Sequence, residues 1–336
     1  MKTVFIDGSA GTTGLQIHER LSERTDIELN ILSEEFRKDP NARREAINEA
    51  DIAFLCLPDD AATEAAEWCE NPRTVIIDTS TAHRTAPGWV YGFPELATRD
   101  ELIGEHADND SEHAAGTRMK AVLSRARRIA NPGCHASGFI ALVSPLIQAG
   151  LISCDEQLSC FSVTGYTGGG KQMIADYEEN GHDSPRVYGL TQEHKHLPEI
   201  MALTGLRNTP VFVPVVGSFA RGMEVIVPLF ARQVKPYAGV ILSSAADGRL
   251  PAMLRSVYSK AYPGPVVHFE EKADENGFMA AGKYAGRDDM EITVAGNDDR
   301  AVLIARFDNL GKGASGAAIQ NMNLVLGCGE TTGLVL

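Results

Sequence analysis

Apolar and polar positions follow two different rhythms along this chain. In the first third, residues 3–7, 27–32, 52–57 and 74–78 are short apolar runs bounded by turn formers, the pattern of buried strands. Between them, residues 13–21, 42–50 and 61–69 carry apolar positions at helical intervals. This β-α-β-α-β order predicts a parallel, doubly wound sheet of the Rossmann type. After Pro132 the rhythm changes. Residues 157–164, 211–218, 222–230, 266–270 and 290–295 read as strands, several of them alternating, and helices become fewer. That predicts an α+β second domain with a mixed or antiparallel sheet and one exposed face. Residues 311–327 are rich in small side chains, with Ala314, Ala317, Ala318, Met322 and Val325 at helical spacing, and predict a closely packed final helix. The polar stretch 104–128 reads as a surface insertion.

Length and charge narrow the picture. At 336 residues the chain accommodates two domains, since single cores stop growing near ~250–300 residues. Its net charge of −14 argues against nucleic acid as the main partner, because phosphate backbones select basic surfaces. No apolar run approaches the ~20 residues of a membrane span. The opening residues, Met1 to Asp7, read as a strand rather than a signal peptide. The six cysteines are scattered without a C-x-x-C pair, which removes zinc-ribbon and thioredoxin readings. Cys56 and Cys160 lie in apolar strand contexts. A reducing cytoplasm is the expected compartment.

Two stretches carry candidate chemistry. The first is Gly8-Ser9-Ala10-Gly11-Thr12-Thr13-Gly14, placed between a strand and a helix. Its backbone donors and the following helix N-terminus suit a pyrophosphate; the competing reading is a plain tight turn. Just past the second strand, Ser33 with Arg37 and Lys38 fits a 2′-phosphate and so NADP. Glu34 stands where an NAD-selecting acid falls, and a solvated helix start also explains the two cations. The second stretch is Asn131-Pro132-Gly133-Cys134-His135. It delivers Cys134 to the first turn of a buried helix, where the helix dipole favours the thiolate that covalent acyl chemistry uses. The alternative is a small buried hydrophobe.

His135, His194 and His196 compete for a proton-transfer role, which suits imidazole. A metal reading of these histidines with Cys134 lacks ligand-pair spacing, so no metal is expected. Arg84, Arg221 and Lys171 are candidate cations for a charged substrate, against the reading of each as a solvated surface charge. Asn131 either orients substrate or caps the turn before Cys134.

Taken in order, several motifs resemble one family. They are the Gly8–Gly14 loop, Phe54-Leu55-Cys56-Leu57-Pro58, Asp78-Thr79-Ser80-Thr81-Ala82-His83-Arg84, Tyr91-Gly92-Phe93-Pro94-Glu95-Leu96 and the Cys134 box. Gly165 to Lys171, His194-Lys195-His196-Leu197-Pro198-Glu199-Ile200 and Lys312-Gly313-Ala314-Ser315-Gly316 follow. The chain resembles the shorter type of N-acetyl-γ-glutamyl-phosphate reductase over nearly its whole length, within the aspartate-semialdehyde-dehydrogenase-like superfamily. Residues 104–128 depart from the pattern by their length.

The resemblance implies a dinucleotide-binding domain of residues 1–132 and 310–336, with the final helix returning to it. Residues 133–309 would form the catalytic and oligomerisation domain of a dimer or tetramer. It implies reduction of N-acetyl-γ-glutamyl phosphate by NADPH to the 5-semialdehyde and phosphate, through a Cys134 thioester and with His196 as acid/base. Aspartate-semialdehyde dehydrogenase is the competing enzyme reading. A non-catalytic NADP-binding redox sensor is the competing reading of another class.

Overall fold

A computed structural model describes residues 1–103, 115–235 and 249–336. The first part runs β1 (Lys2–Asp7), α1 (Thr12–Leu21), β2 (Ile27–Asn30), α2 (Pro40–Glu49), β3 (Ile52–Leu55), α3 (Asp59–Glu67), β4 (Val75–Asp78) and β5 (Val90–Tyr91). Then come α4 (Arg99–Ile103), α5 (Thr117–Leu123) and β6 (Arg128–Ala130). Six strands form one parallel sheet in the order β2-β1-β3-β4-β6-β5. Strands β3 and β4 are buried along their whole length, as expected where helices cover both faces. Helix α2 starts where Asp39 accepts the N–H groups of Asn41 and Ala42 and Pro40 occupies the first turn.

The second part holds α6 (Cys134–Gln148), β7 (Ser159–Gly165), α7 (Gly170–Asn180), β8 (Arg186–Val187), α8 (Leu197–Thr204), β9 (Val211–Gly217) and β10 (Met223–Phe230). It continues with α9 (Arg249–Ala261), β11 (Val267–Phe269), β12 (Met290–Gly296), β13 (Arg300–Phe307) and α10 (Gly316–Leu326). Its seven strands form a mixed sheet, β11-β12-β13-β10-β7-β9-β8. One face packs on α6, whose residues from His135 to Leu146 are all buried. Pro145 inside α6 has no N–H to offer the Ala141 carbonyl, and Tyr262 donates its hydroxyl there at 2.7 Å instead.

Helix α10 returns to the first sheet: its Ala318, Ile319 and Met322 share a core with Val4, Ile6 and Ile17. Immediately before it, residues 311–315 form a π-helical turn rather than the start of the α-helix.

Three expectations need correction. Strand β13 was not anticipated, because Arg300 and Arg306 flank its apolar run. Arg306 is nevertheless fully buried, held by Glu291, Glu275 and the Ala273 carbonyl. Helices α7, α8 and α9 make the second part richer in helix than its strand-like rhythm suggests. The insertion at 104–128 divides: residues 104–114 lie outside the described residues, whereas α5 is integrated into the fold. There Leu123 enters the first core and Lys120 pairs with Glu330 at 2.9 Å.

Candidate active site

Strand β6 ends beside β4, and the chain turns through Asn131-Pro132-Gly133 into α6. The turn is tied on both sides. The Asn131 N–H donates to the Asp78 carbonyl at 2.7 Å, and its side-chain amide donates to the Ala314 carbonyl at 3.0 Å. No side chain caps α6, so Cys134 opens the helix directly after Gly133.

Glu199, in the first turn of α8, organises this corner. Its carboxylate accepts from Arg84 Nη1 at 2.7 Å, from the Tyr91 hydroxyl at 2.7 Å and from the Gly133 N–H at 3.1 Å. His196 Nε2 lies 3.9 Å from the same carboxylate. A Cβ on Gly133 would stand 2.4 Å from Arg84 Nη1, 2.5 Å from Glu199 Oε1 and 2.5 Å from His196 Nε2. The backbone next to the cysteine is therefore packed directly against a cation, a carboxylate and an imidazole, with no room for a side chain.

The three histidines differ in their bonding. His135 is locked, with Nδ1 2.6 Å from Ser162 Oγ and Nε2 2.7 Å from the Tyr188 hydroxyl. His194 accepts the His196 N–H on Nδ1 at 3.2 Å, so its proton sits on Nε2. Among the described residues the buried His196 ring has no hydrogen-bond partner for Nδ1. Its centroid is 4.7 Å from that of His194 and 5.6 Å from that of His135.

Burial sets the protonation of these groups. Burial first, and the Arg84 charge second, hold His196 well below the usual 6.5. Burial likewise lowers His135 to about 3 and His194 to about 4. All three are neutral near pH 7, the form that accepts a proton. The thiol of Cys134 behaves against expectation: burial raises it above the ordinary value and outweighs the Arg84 charge and the His135 amide, which pull it down.

A cavity of about 270 Å³ opens over Cys134, His194 and His196 and reaches Thr13 of the glycine loop. A second crevice, reached through a recess that shares residues with both, is lined by Gly8 to Gly11, Arg37 and Lys171. The loop's form requires glycine: Gly8 has φ +84°, and a Cβ there would sit 2.3 Å from the Cys56 carbonyl oxygen. A Cβ on Gly14 would sit 2.3 Å from the Gly8 oxygen. Helix α1 starts without a side-chain cap, so its first N–H groups keep their capacity for an anion.

Two family models match the chain: "Semialdehyde dehydrogenase, NAD binding domain" over residues 34–104 and "Semialdehyde dehydrogenase, dimerisation domain" over residues 134–309. N-acetyl-γ-glutamyl-phosphate reductase of Brucella ovis is 44% identical over 332 residues, covering 96% of this chain and 98% of the relative. The Chelativorans sp. protein of the same name is 43% identical, covering 96% and 97%. The chain belongs to the N-acetyl-γ-glutamyl-phosphate reductase family. Among solved structures, aspartate semialdehyde dehydrogenase II of Vibrio cholerae superposes with a TM-score of 0.67 at 16% identity, covering 97% of this chain and 98% of that one. The Candida albicans aspartate semialdehyde dehydrogenase solved with NADP gives 0.60 at 12%, covering 97% and 99%. These two show the fold that this reductase family shares.

Within that frame the expected site residues separate. Cys134, His196, Asn131, Arg84 and Thr13 meet at one cavity. Gly8, Ser9, Ala10 and Gly11 line the crevice, Thr12 lies in an adjoining recess, and Gly14 packs behind them. Arg37 lines the crevice and contacts Glu34 in a turn, not a helix; Ser33 and Lys38 are exposed outside its lining. Lys171 falls on the crevice rather than over the cysteine.

The two arginines stand in different surroundings. Arg84 gives three of its five N–H donors to Glu199, the Asn131 carbonyl and the Thr79 carbonyl. Arg221 is outside the cavity lining and pairs with buried Asp308 at 2.7 Å. Sequence reasoning missed Glu199 and Tyr91 as functional groups, although both lie in the motifs that carry the family resemblance.

Proposed function

We propose that this chain reduces N-acetyl-γ-glutamyl phosphate to N-acetyl-L-glutamate 5-semialdehyde, with Cys134 as nucleophile and His196 as acid/base. The observation that carries the reading is the convergence at Gly133–Cys134: Arg84, Glu199 and His196 pack against the nucleophile's turn, and Thr13 of the glycine loop lines the same cavity. The sulfur attacks the acyl carbon, the carbon–oxygen bond to phosphate breaks, and a Cys134 thioester forms. Neutral His196 takes the thiol proton, which a raised thiol cannot shed unaided. The proton returns to sulfur when the aldehyde leaves. The N–H groups at the start of α6 are the oxyanion donors.

The crevice around Gly8–Gly11 suits a dinucleotide, since it combines glycines that admit no side chain with an uncapped helix start. When bound there, a nicotinamide supplies the hydride that reduces the thioester. Arg37 at the crevice favours NADP over NAD, because a guanidinium forks well to a 2′-phosphate. Arg84 acts here as a positioning residue for Glu199 and the Asn131 turn.

We divide the chain into a dinucleotide domain of residues 1–132 and 310–336 and a catalytic domain of 133–309, on the strength of the core that α10 shares with the first sheet. The free face of the second sheet carries Val213, Phe161, Ile226 and Ile304 in register across four strands. Phe161 is 44% exposed and Val211 56%, an apolar surface suited to a second copy in a homodimer. Six free cysteines fit a reducing cytoplasm.

The test is phosphate-dependent formation of reduced nicotinamide with N-acetylglutamate semialdehyde and, separately, aspartate semialdehyde. Activity should appear with the first and be lost in Cys134→Ser. Preference for aspartate semialdehyde would refute the substrate, and an active serine variant would refute the nucleophile.

A further inference from the structure

The lining of the cavity over Cys134 is opposite in sign to the net charge of the chain. The chain as a whole carries a net charge of −14. Yet among the described residues no aspartate or glutamate lines this cavity, while Arg84 and Lys195 do. The two cations are not equivalent. Arg84 is committed to Glu199, the Asn131 carbonyl and the Thr79 carbonyl. Lys195 is exposed at the cavity mouth and has no hydrogen bond or ion pair among the described residues. Its charge is felt by Cys134, His135, His194 and His196 on one side and by Asp59 on the other. It also lines the adjoining recess with Thr12, Thr13, Thr79 and Lys171. A cation between the nucleophile and the glycine loop is placed for an anion released at the cysteine.

We infer that Lys195 is the phosphate-binding residue of this site: its ammonium receives the phosphoryl oxygens of the acyl phosphate and holds inorganic phosphate in the reverse reaction. This rests on the acyl-phosphate chemistry proposed above. When the sulfur–carbon bond forms and the carbon–oxygen bond breaks, the electron pair leaves with phosphate as negative charge, and the Lys195 ammonium meets it as a point charge. The interaction strengthens as the charge develops on the departing oxygen. Sequence spacing hides this role, because Lys195 stands between two histidines whose chemistry draws attention first.

The experiment is steady-state kinetics in the phosphorylating direction, with semialdehyde, inorganic phosphate and NADP varied in turn, for the wild type, Lys195→Met and Lys195→Arg. The KM for phosphate should rise ~10- to 100-fold in Lys195→Met, the range of one charge-assisted contact, and recover largely in Lys195→Arg. The KM values for semialdehyde and NADP should change little. An unchanged phosphate KM overturns the assignment. So does a rise confined to the semialdehyde, which would give Lys195 to the substrate carboxylate, or to NADP, which would give it to the cofactor.

A second measurement needs no turnover: protection of Cys134 from iodoacetamide by inorganic phosphate, followed by peptide mass spectrometry. Protection should appear in the wild type and weaken in Lys195→Met; equal protection in both overturns the inference. If the wild type shows no phosphate-dependent reduction, the proposed reaction falls, and the protection measurement still decides whether Lys195 binds phosphate.

Discussion

Replacing Glu199 with glutamine is the perturbation that most sharply separates the organisation of this site from its chemistry. The carboxylate accepts three hydrogen bonds, from Arg84, the Tyr91 hydroxyl and the Gly133 N–H, and its side chain is almost wholly buried. Glutamine keeps the shape but has one acceptor oxygen. If that oxygen faces Arg84, the Gly133 N–H meets an amide donor. If it faces Gly133 and Tyr91, the guanidinium meets the donor instead. Either way one buried donor is orphaned, which costs about 1–3 kcal/mol, and the buried Arg84 loses its counter-charge. Breaking a buried pair from one side costs about 3–5 kcal/mol in all.

The same change acts on Cys134 in the opposite sense. Glu199 raises the thiol and Arg84 lowers it, so removing the carboxylate leaves Arg84 unopposed. Glu199→Gln should therefore denature at lower urea while its Cys134 reacts with iodoacetamide at lower pH than the wild type. Peptide mapping across a pH series and a urea titration together check both halves. A variant as stable as wild type, or one whose Cys134 titrates at the same or higher pH, would show that Glu199 does not hold this corner together.

Four further outcomes are expected. His196→Asn should lower turnover roughly 10²–10⁴-fold per folded molecule, with a smaller loss for His194→Asn; the reverse order in stopped-flow rates would move the acid/base role to His194. Because His135 and His194 are held at about 3 and about 4 while an unfolded histidine titrates near 6.5, their contribution to stability is full above pH 6.5. That contribution should decline as pH falls through the interval below 6.5, seen as a falling urea midpoint, and a midpoint flat from pH 7 to pH 5 would contradict it. Arg37→Ala should raise the KM for NADP more than that for NAD, and equal losses would assign selection to Glu34. Phe161→Glu on the free sheet face should shift sedimentation equilibrium toward monomer, and an unchanged mass would put the interface elsewhere.

What could be read from the chain follows the range of the forces involved. The glycine loop and the Cys134 box are local: a turn, a helix start and a nucleophile within a few residues. Glu199 is the opposite case. Its partners Arg84, Tyr91 and Gly133 lie 115, 108 and 66 positions away, so only the folded chain reveals what it does. The Cys134 thiol shows the same division. The helix dipole is visible in sequence, but the stronger opposing effect is burial, which only the folded chain supplies. Strand β13 was obscured by Arg306, a charge that reads as surface until Glu291 and Glu275 are brought beside it. Arg221 is a candidate anion binder in sequence, and only the fold shows that buried Asp308 pairs with it.

The central claim is covalent catalysis at Cys134, and trapping the acyl-enzyme tests it most directly. His196→Asn enzyme, slowed in proton transfer, should be mixed with N-acetyl-γ-glutamyl phosphate without reduced cofactor and followed by intact mass. A single N-acetylglutamyl adduct should form, map to Cys134 after digestion, be absent from Cys134→Ser and be removed by hydroxylamine. No adduct under these conditions, or one on Cys56 or any other residue, would contradict it.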